Sequence, residues 1–147
     1  MEDYMEGCPT CENWGKERSD IIIENDLAKA TFSDYFREGH CVVTVKRHMI
    51  SPSSMNAEEH IAVFDLITKV SKALEEKYGA RKTYVLMIGD SNKWQHLHFH
   101  LIPKHRYLPS MGVYTFQKLA EDEATRDTPE DVRAGLAKEI RELIGEK

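Results

Sequence analysis

The sequence lacks most of the features that would place a protein outside the class of ordinary globular domains. Its 147 residues contain no apolar stretch near the roughly 18 residues of a membrane span, and they begin Met-Glu-Asp-Tyr-Met-Glu, which is acidic where a signal peptide is basic and then apolar. We therefore expect a cytoplasmic protein with no membrane partner. The 5 prolines and 8 glycines are scattered, and no repeat or linker is visible, so we expect one domain over residues 1–147.

Positive charge is also in short supply. The chain has 20 lysines and arginines against 25 aspartates and glutamates, a formal net charge of −5, and no long basic cluster. Binding to a nucleic acid backbone requires a basic face, so we expect no nucleic acid partner. Small anionic ligands remain compatible with this composition, because local fields override the net charge.

Cysteine is scarce as well: the three residues cannot all pair among themselves, which argues against a disulfide scaffold. Cys8 and Cys11 nevertheless have the two-residue spacing that lets both thiolates reach one zinc ion. A redox-active pair and two unliganded thiols are the alternatives for these residues. Cys41 lies inside an apolar run, and we interpret it as a small buried hydrophobic residue.

Short apolar runs in the first third of the chain predict strands. Residues 21–23 and 28–32 are separated by Glu24-Asn25-Asp26, a pattern typical of a hairpin, and residues 41–45 form a β-branched run that predicts a third strand. Two further strands are predicted over residues 83–88 and 96–102.

Two helices are predicted by apolar spacing and by end signals. Residues 57–78 carry one apolar stripe and are followed by Gly79, a common helix stop; the stripe consists of Val63, Ile67, Val70 and Leu74. Thr128-Pro129-Glu130 predicts a second helix, with Thr128 as its N-cap, to about residue 144. Strands on both sides of a long helix indicate an α+β fold with helices on an antiparallel sheet.

Histidines are concentrated in one segment of the sequence. Four of the seven histidines lie between positions 96 and 105, and residues 96–102 read His-Leu-His-Phe-His-Leu-Ile. On a strand, His96, His98 and His100 would share one face at spacings of about 7 Å. Three uncommitted imidazoles in a row would be unfavourable because of desolvation and mutual repulsion. Two uses remain open: all three bind one metal ion, or at least one performs covalent or acid–base chemistry on an anion.

A zinc site at the two N-terminal cysteines needs further ligands from elsewhere in the chain. His48, at the end of the third predicted strand, and His96, at the start of the last, are the candidates. Two thiolates and two imidazoles close a tetrahedral structural site, which leaves no open position for catalysis.

Residues 96–102 resemble the signature of the histidine triad (HIT) nucleotide hydrolases and transferases. The resemblance runs from residue 8 to about residue 103 and leaves residues 104–147 as a C-terminal extension. Its other matching segments are the cysteine pair, Glu24-Asn25-Asp26, Phe32-Ser33-Asp34, Gly39-His40 and Lys46-Arg47-His48. It implies an α+β homodimer that cleaves a phosphoanhydride or phosphoramidate at the α-phosphate of a nucleotide.

The same resemblance implies a role for each matching residue. The middle histidine of the triad, here His98, would attack phosphorus and carry the nucleotidyl group until water removes it. His100 would contact phosphate oxygens and the leaving group, and His40 matches a further active-site histidine. In family members that have the cysteine pair, structural zinc is held by residues that correspond here to Cys8, Cys11, His48 and His96.

The substrate-binding residues are also carried over by position. Asp34 matches a carboxylate that binds both ribose hydroxyls, with Phe32 in the same matching segment, and its alternative is an ordinary turn aspartate. Just before the triad, the side chains of Ser91, Asn92 and Lys93 are candidates to contact phosphate, or they form a solvated turn. The connection from Asp34 to the Gly-His pair is shorter than is usual in the family, and Asn92 stands where a glutamine is usual.

Four functions follow, and the leading one is a nucleotide hydrolase that works through a covalent intermediate on His98. The second is a nucleotidyltransferase or phosphorylase. The related hexose-1-phosphate uridylyltransferases carry glutamine where this chain has His100, which favours hydrolysis or phosphorolysis here. The third is a non-catalytic, zinc-containing nucleotide-binding module. The fourth makes the triad a catalytic metal site with an open coordination position.

Overall fold

The structure is a computed structural model that describes residues 3–33, 38–89, 95–106 and 129–145. Five antiparallel strands form one sheet, in the spatial order β1-β2-β3-β5-β4. Their bounds are β1 Ile21–Glu24, β2 Ala28–Phe32, β3 Cys41–Val45, β4 Thr83–Leu86 and β5 His98–Pro103. The predicted α+β fold with an antiparallel sheet is confirmed.

Three α-helices and one 3-10 helix accompany the sheet in the described part of the chain. A five-residue helix, α1 (Pro9–Asn13), precedes β1, and the long helix α2 (Ala57–Tyr78) lies between β3 and β4 in sequence. A short 3-10 helix (Pro52–Ser54) and a C-terminal helix, α3 (Glu130–Ile144), complete the described elements. None of the described helices is both long enough and apolar enough to cross a membrane.

The hydrophobic core lies between one face of the sheet and the two long helices. The predicted stripe of α2 is buried there in full, with Val63, Ile67, Val70 and Leu74 at most 5% exposed. Alternate residues of the central strands supply the other side of the core, since strand side chains alternate between faces. The opposite face of the sheet therefore remains available for a site.

The ends of α2 follow the local rules that the sequence indicates. Asn56 accepts a hydrogen bond from the backbone N–H of Glu59, while the Glu59 carboxylate accepts one from the Asn56 N–H, so the helix begins with a capping box. Gly79 ends the helix in the left-handed conformation, at φ 60°.

Helix α3 begins one residue later than predicted. Pro129 is the N-cap residue and Glu130 the first helical residue, so the prediction that Pro129 opens the helix behind a Thr128 cap is wrong; Thr128 itself lies outside the described residues. The predicted end near residue 144 is confirmed by Gly145. The helix packs against α2, β1 and β2, with Ala137 and Ile140 buried.

The last two strands are shifted relative to their predicted bounds. β4 ends at Leu86 rather than at residue 88, and β5 begins at His98 rather than at residue 96. Leu97 lies outside the ladder because its carbonyl accepts from the Val45 N–H and its own N–H donates to the carbonyl of Met49. His96 therefore lies in the segment before the strand, and its side chain is used elsewhere.

Candidate functional site

The two N-terminal cysteines lie one helical turn apart. Cys8 is the N-cap residue of α1, Pro9 is its first helical residue, and Cys11 follows within the same turn. Residues three apart on a helix lie on the same side, so both Sγ atoms face the same point. Cys8 is 1% exposed and Cys11 is partly buried.

His48 reaches the cysteines from the segment that follows β3. Its neighbour Arg47 forms a two-pronged ion pair with Glu59 of α2, with Nε–Oε1 and Nη2–Oε2 distances of 2.7 and 2.8 Å. The hydrogen bonds from Arg47 hold the pKa of Glu59 below its usual value. The His48 N–H also donates to the carbonyl of Asp3, at 3.0 Å. The backbone at His48 is thus fixed from two sides.

His96 enters the same group from the segment before β5. Its Nε2–H donates to the backbone carbonyl of Val45 at 2.7 Å, which leaves Nδ1 as the nitrogen with a lone pair. Nδ1 lies 3.4 Å from the Sγ of Cys8 and 3.5 Å from the Sγ of Cys11. Burial lowers the pKa of His96, which favours the neutral, metal-binding form of the imidazole.

The four donor atoms have the spacing of a tetrahedral zinc shell. With bonds of about 2.3 Å to sulfur and about 2.0–2.1 Å to nitrogen, such a shell separates two nitrogens by about 3.3 Å and nitrogen from sulfur by about 3.5 Å. The Nδ1 atoms of His48 and His96 are 3.3 Å apart, and the Sγ of Cys11 lies 3.5 Å from the Nδ1 of His48. All four donors lie within 4.8 Å of one another. The group can therefore hold a metal ion, and the donor set suits zinc.

His98 is the first residue of β5 and lies on the sheet face away from the core. Its Nδ1–H donates to the backbone carbonyl of His96 at 2.7 Å. This hydrogen bond fixes the tautomer and leaves the lone pair on Nε2 free to react. Thr44 of β3 is its cross-strand partner.

His100 and His40 continue the row on this face. His100 contacts His98 edge to face, with ring centroids 4.8 Å apart, and its Nδ1 shares a hydrogen bond of 2.9 Å with the Nε2 of His40. Burial, together with the nearby imidazoles, lowers the pKa of His40 to about 3 and that of His100 to about 4. Both rings are therefore neutral near pH 7, and one donates its N–H to the other.

The histidine row is divided between two groups, against the expectation that all three side chains line one strand face. His96 joins the cysteines and His48, whereas His98 and His100 join His40. Among the described residues, only the first group brings three or more potential metal ligands together; its members are Cys8, Cys11, His48 and His96. The interpretation of the triad as one catalytic metal site is not supported by this arrangement.

The remaining candidates have different positions. Phe32 is 1% exposed and lies in the core, on the face of the sheet opposite His98 and His100, so the structure does not bring it together with them. Cys41 is fully buried in the core, as expected, and burial raises the pKa of its thiol. Four predicted substrate-binding residues lie outside the described residues: Asp34, Ser91, Asn92 and Lys93.

Two residues near the site were missed by the sequence analysis. His105 is 4% exposed, and its Nε2–H donates to the carbonyl of Glu38 at 2.7 Å, which holds the backbone just before Gly39 and His40. Gly89 has φ +74°, and a Cβ built there would lie 3.7 Å from the Cε1 of His98. The isolated histidine after β5 was the available signal for the first, whereas the second depends on a close approach that no sequence pattern indicates.

Comparison with known proteins agrees with this geometry. The model of the HIT domain family matches residues 15–107, more than half of the chain. No curated protein sequence matches the chain at a significant level. A hypothetical histidine triad nucleotide-binding protein from Sulfolobus tokodaii is similar in structure, at a TM-score of 0.68 and 20% identity over 92% of this chain and 89% of that one.

Two further solved structures share the fold. A zinc-bound histidine triad family protein from Mycobacterium smegmatis aligns at a TM-score of 0.67 and 16% identity, over 95% of this chain and 94% of that one. Diadenosine triphosphate hydrolase from Plasmodium falciparum, in complex with cyclomarin A, aligns at 0.61 and 16% identity, over 89% and 80%. At these identities the likeness concerns the fold. Together with the family match, it identifies the chain as a member of the HIT domain family.

Proposed function

We propose that the protein is a nucleotide hydrolase that cleaves at the α-phosphate of a nucleoside phosphoanhydride or phosphoramidate. The observation that carries the proposal is the hydrogen bond from the Nδ1–H of His98 to the carbonyl of His96. It orients the ring and presents Nε2 as the nucleophile, with no metal ligand role for this residue among the described contacts. Family membership supports nucleotide chemistry in general.

The reaction takes place in two displacements. In the first, the Nε2 lone pair of His98 forms a bond to the α-phosphorus, and the leaving group departs with the electrons of the broken P–O or P–N bond. In the second, water attacks the same phosphorus and the P–N bond to His98 breaks. Water thus supplies the hydroxyl that ends on phosphorus and the proton that ends on the leaving group, and His98 is regenerated.

The neighbouring histidines act as neutral hydrogen-bond donors in this proposal. Because the pKa values of His40 and His100 lie well below 7, neither ring repels the other as a cation. In their neutral form these rings would donate to phosphate oxygens or to the leaving group. By resemblance to the family, Asp34 would bind the ribose hydroxyls. Ser91, Asn92 and Lys93 lie just before the triad in sequence and would donate to phosphate oxygens.

We assign zinc to Cys8, Cys11, His48 and His96 as a structural ion. When bound, zinc would cross-link three segments through four ligands, and such a closed ligand set serves structure. The segments are α1, the residues after β3 and the residues before β5. The hydrogen bond from His96 Nε2–H to the Val45 carbonyl fixes the tautomer in which Nδ1 can bind the ion.

A homodimer is also part of the proposal. β4 is an edge strand of the sheet, and large apolar side chains are exposed on it, beyond its end and on α2: Val85 43%, Met87 38%, Ile61 72% and Phe64 51%. An exposed apolar edge strand readily pairs with another strand. Light scattering in solution distinguishes a dimer from a monomer of 17.0 kDa.

The test of the chemistry uses dinucleoside polyphosphates, adenosine phosphoramidates and nucleotide sugars as substrates. We expect His98→Ala to lower kcat/KM at least about 1,000-fold, the scale seen when a nucleophile is removed. Rapid acid-free quenching of the unmodified protein should trap one nucleotidyl group per chain, measured by intact mass. His60→Ala, at an exposed histidine of α2, is the matched control and should keep full turnover. Unchanged turnover in His98→Ala would refute the assignment.

A further inference from the structure

A lysine on an interior strand of the sheet stands out because its side chain is buried. Lys29 lies in β2, where the surrounding strand is buried throughout, and it is itself 5% exposed. Among the described residues, no carboxylate forms an ion pair with its Nζ atom. Removing an ammonium from water is costly unless other groups compensate it.

The contacts of Lys29 compensate its charge only in part. Nζ donates to the backbone carbonyl of Trp14, and it lies 4.1 Å from the centroid of the Trp14 ring. An ammonium has three N–H donors, so a carbonyl and a π face do not use its full capacity. Burial lowers the pKa of Lys29, and the carboxylates of Glu24 and Asp20 offset this lowering only in part.

Lys29 also lines a small polar cleft. The cleft has a volume of about 190 Å³, and its polar lining includes Thr10, Asn13, Arg18, Thr31 and Thr44. Pockets that enclose a whole drug-sized ligand have volumes of about 300–1,000 Å³, so this cleft accommodates one group of a larger molecule. Arg18 is paired with the carboxylate of Asp20, at 2.9 and 2.8 Å, so Lys29 supplies the positive charge. This charge and the hydroxyls of the lining favour an anionic group with several acceptor oxygens.

The cleft lies beside the proposed nucleophile. Lys29 is paired with Thr44 across β2 and β3, and Thr44 is paired with His98 across β3 and β5. Neighbouring strands lie about 4.8 Å apart, so the backbone of Lys29 is about 10 Å from that of His98 on the same face. Lys29, Thr44 and His98 thus form one row across the sheet, and Thr31 lies in the next row towards His40, which precedes β3.

We propose that this cleft binds a second phosphate of the substrate, beyond the α-phosphate that His98 attacks. The inference rests on the proposed function and narrows its substrate class to nucleotides whose leaving group carries phosphate, such as dinucleoside polyphosphates. Lys29 provides the charge, and Thr31 and Thr44 provide hydroxyl donors. A purely structural lysine, which only caps the carbonyl end of α1 at Trp14, is the competing explanation.

The first experiment measures binding of pyrophosphate to the zinc-loaded protein by calorimetry. We expect Lys29→Met to weaken binding at least about tenfold, because a hydrogen-bonded charge is lost. Lys72→Met, at an exposed lysine of α2, is the matched control and should bind as the unmodified protein does. Thr44→Val keeps the shape of the side chain and removes one hydroxyl, so it should weaken pyrophosphate binding about threefold. This variant replaces Lys29→Met in the test if Lys29→Met does not fold. Unaltered pyrophosphate affinity in the folded variants would overturn the proposal in favour of the structural lysine.

The second experiment separates this inference from the proposed function. We compare kcat/KM for diadenosine triphosphate with kcat/KM for adenosine phosphoramidate, whose leaving group has no phosphate. Lys29→Met should lower the kcat/KM for diadenosine triphosphate, relative to that for adenosine phosphoramidate, at least about tenfold. Zinc content and melting temperature are measured in parallel as controls for folding. A fall in both kcat/KM values by the same factor would contradict phosphate binding in the cleft but not the proposed hydrolase activity. Pyrophosphate binding that depends on Lys29, in a protein that hydrolyses neither substrate, would support the cleft and contradict the hydrolase.

Discussion

His96 and His98 are two residues apart, yet they belong to groups with opposite properties. His96 donates its Nε2–H to a backbone carbonyl and directs Nδ1 towards two cysteines and His48. His98 donates its Nδ1–H to a backbone carbonyl and keeps Nε2 for a ligand. In both residues the position of the main-chain carbonyl that accepts the hydrogen bond decides which ring nitrogen keeps its lone pair.

The two groups are also physically connected. The carbonyl that accepts from His98 belongs to His96, so the residue that faces the cysteines also orients the proposed nucleophile. We therefore expect changes to the metal group to affect both stability and turnover, and changes to the His98 group to affect turnover with little loss of metal.

The largest effect should come from removing a metal ligand. Cys8→Ser should lower the free energy of unfolding by about 4 kcal/mol when free zinc is present at about 1,000 times its dissociation constant, since ligand binding to the folded state is lost. Zinc content per chain, measured by atomic emission, should fall with it. Cys41→Ala is the matched control, because it removes a buried thiol outside the metal group and should leave zinc content unchanged. Full zinc content in Cys8→Ser would contradict the assignment of Cys8 as a metal ligand.

An intermediate effect is expected from His40 at acidic pH. Above pH 6.5 this imidazole is neutral in the folded and unfolded states, so it makes no pH-dependent contribution. Between pH 6.5 and its folded pKa of about 3, the unfolded chain binds a proton that the folded chain does not, and stability falls as pH falls by about 1.4 kcal/mol per pH unit.

His40→Gln removes that proton uptake. Denaturant unfolding at several pH values from 7 to 5 should show a shallower acid loss in the variant by up to about 1.4 kcal/mol per unit. Other titrating groups, metal ligands included, are common to both proteins, so the difference isolates His40. If the free energy of unfolding depended on pH in the same way in both proteins, the result would contradict a His40 that stays neutral in the folded state.

The smallest effect is expected at Gly89. Its φ of +74° is unfavourable for alanine, and Gly89→Ala should cost about 1 kcal/mol of stability. The added Cβ would touch the ring of His98, so kcat should also fall while zinc content stays constant. Loss of zinc in this variant would show that the two groups are less separate than their contacts indicate.

Much of the fold could be predicted because local and tertiary requirements agree. The strand over residues 41–45 and the helix over residues 57–78 have the predicted bounds, since β-branched composition, an apolar stripe and Gly79 all act locally. The convergence of Cys8, Cys11, His48 and His96 was likewise expected from ligand chemistry. The family match covers residues 15–107, so it includes the triad but not the cysteine pair.

What could not be predicted depends on contacts between distant main-chain atoms. The late start of β5 follows from the hydrogen bonds of Leu97 to Val45 and Met49, which periodicity does not reveal. The groups that accept hydrogen bonds from His96 and His98 are backbone carbonyls. Because every residue has a carbonyl, the sequence does not indicate which one accepts. The apolar neighbours of Lys29 predict the strand but not a role for its side chain, although a lysine within an apolar run is an exception that the sequence shows.

The ion pair between Arg47 and Glu59 has a consequence for how the molecule opens. Glu59 also takes part in the capping box of α2, and Arg47 is the residue before His48. The start of the longest described helix and the segment that carries His48 therefore share one carboxylate, that of Glu59. A fluctuation that frays this helix end also loosens His48, so the two segments unfold as one cooperative unit rather than independently.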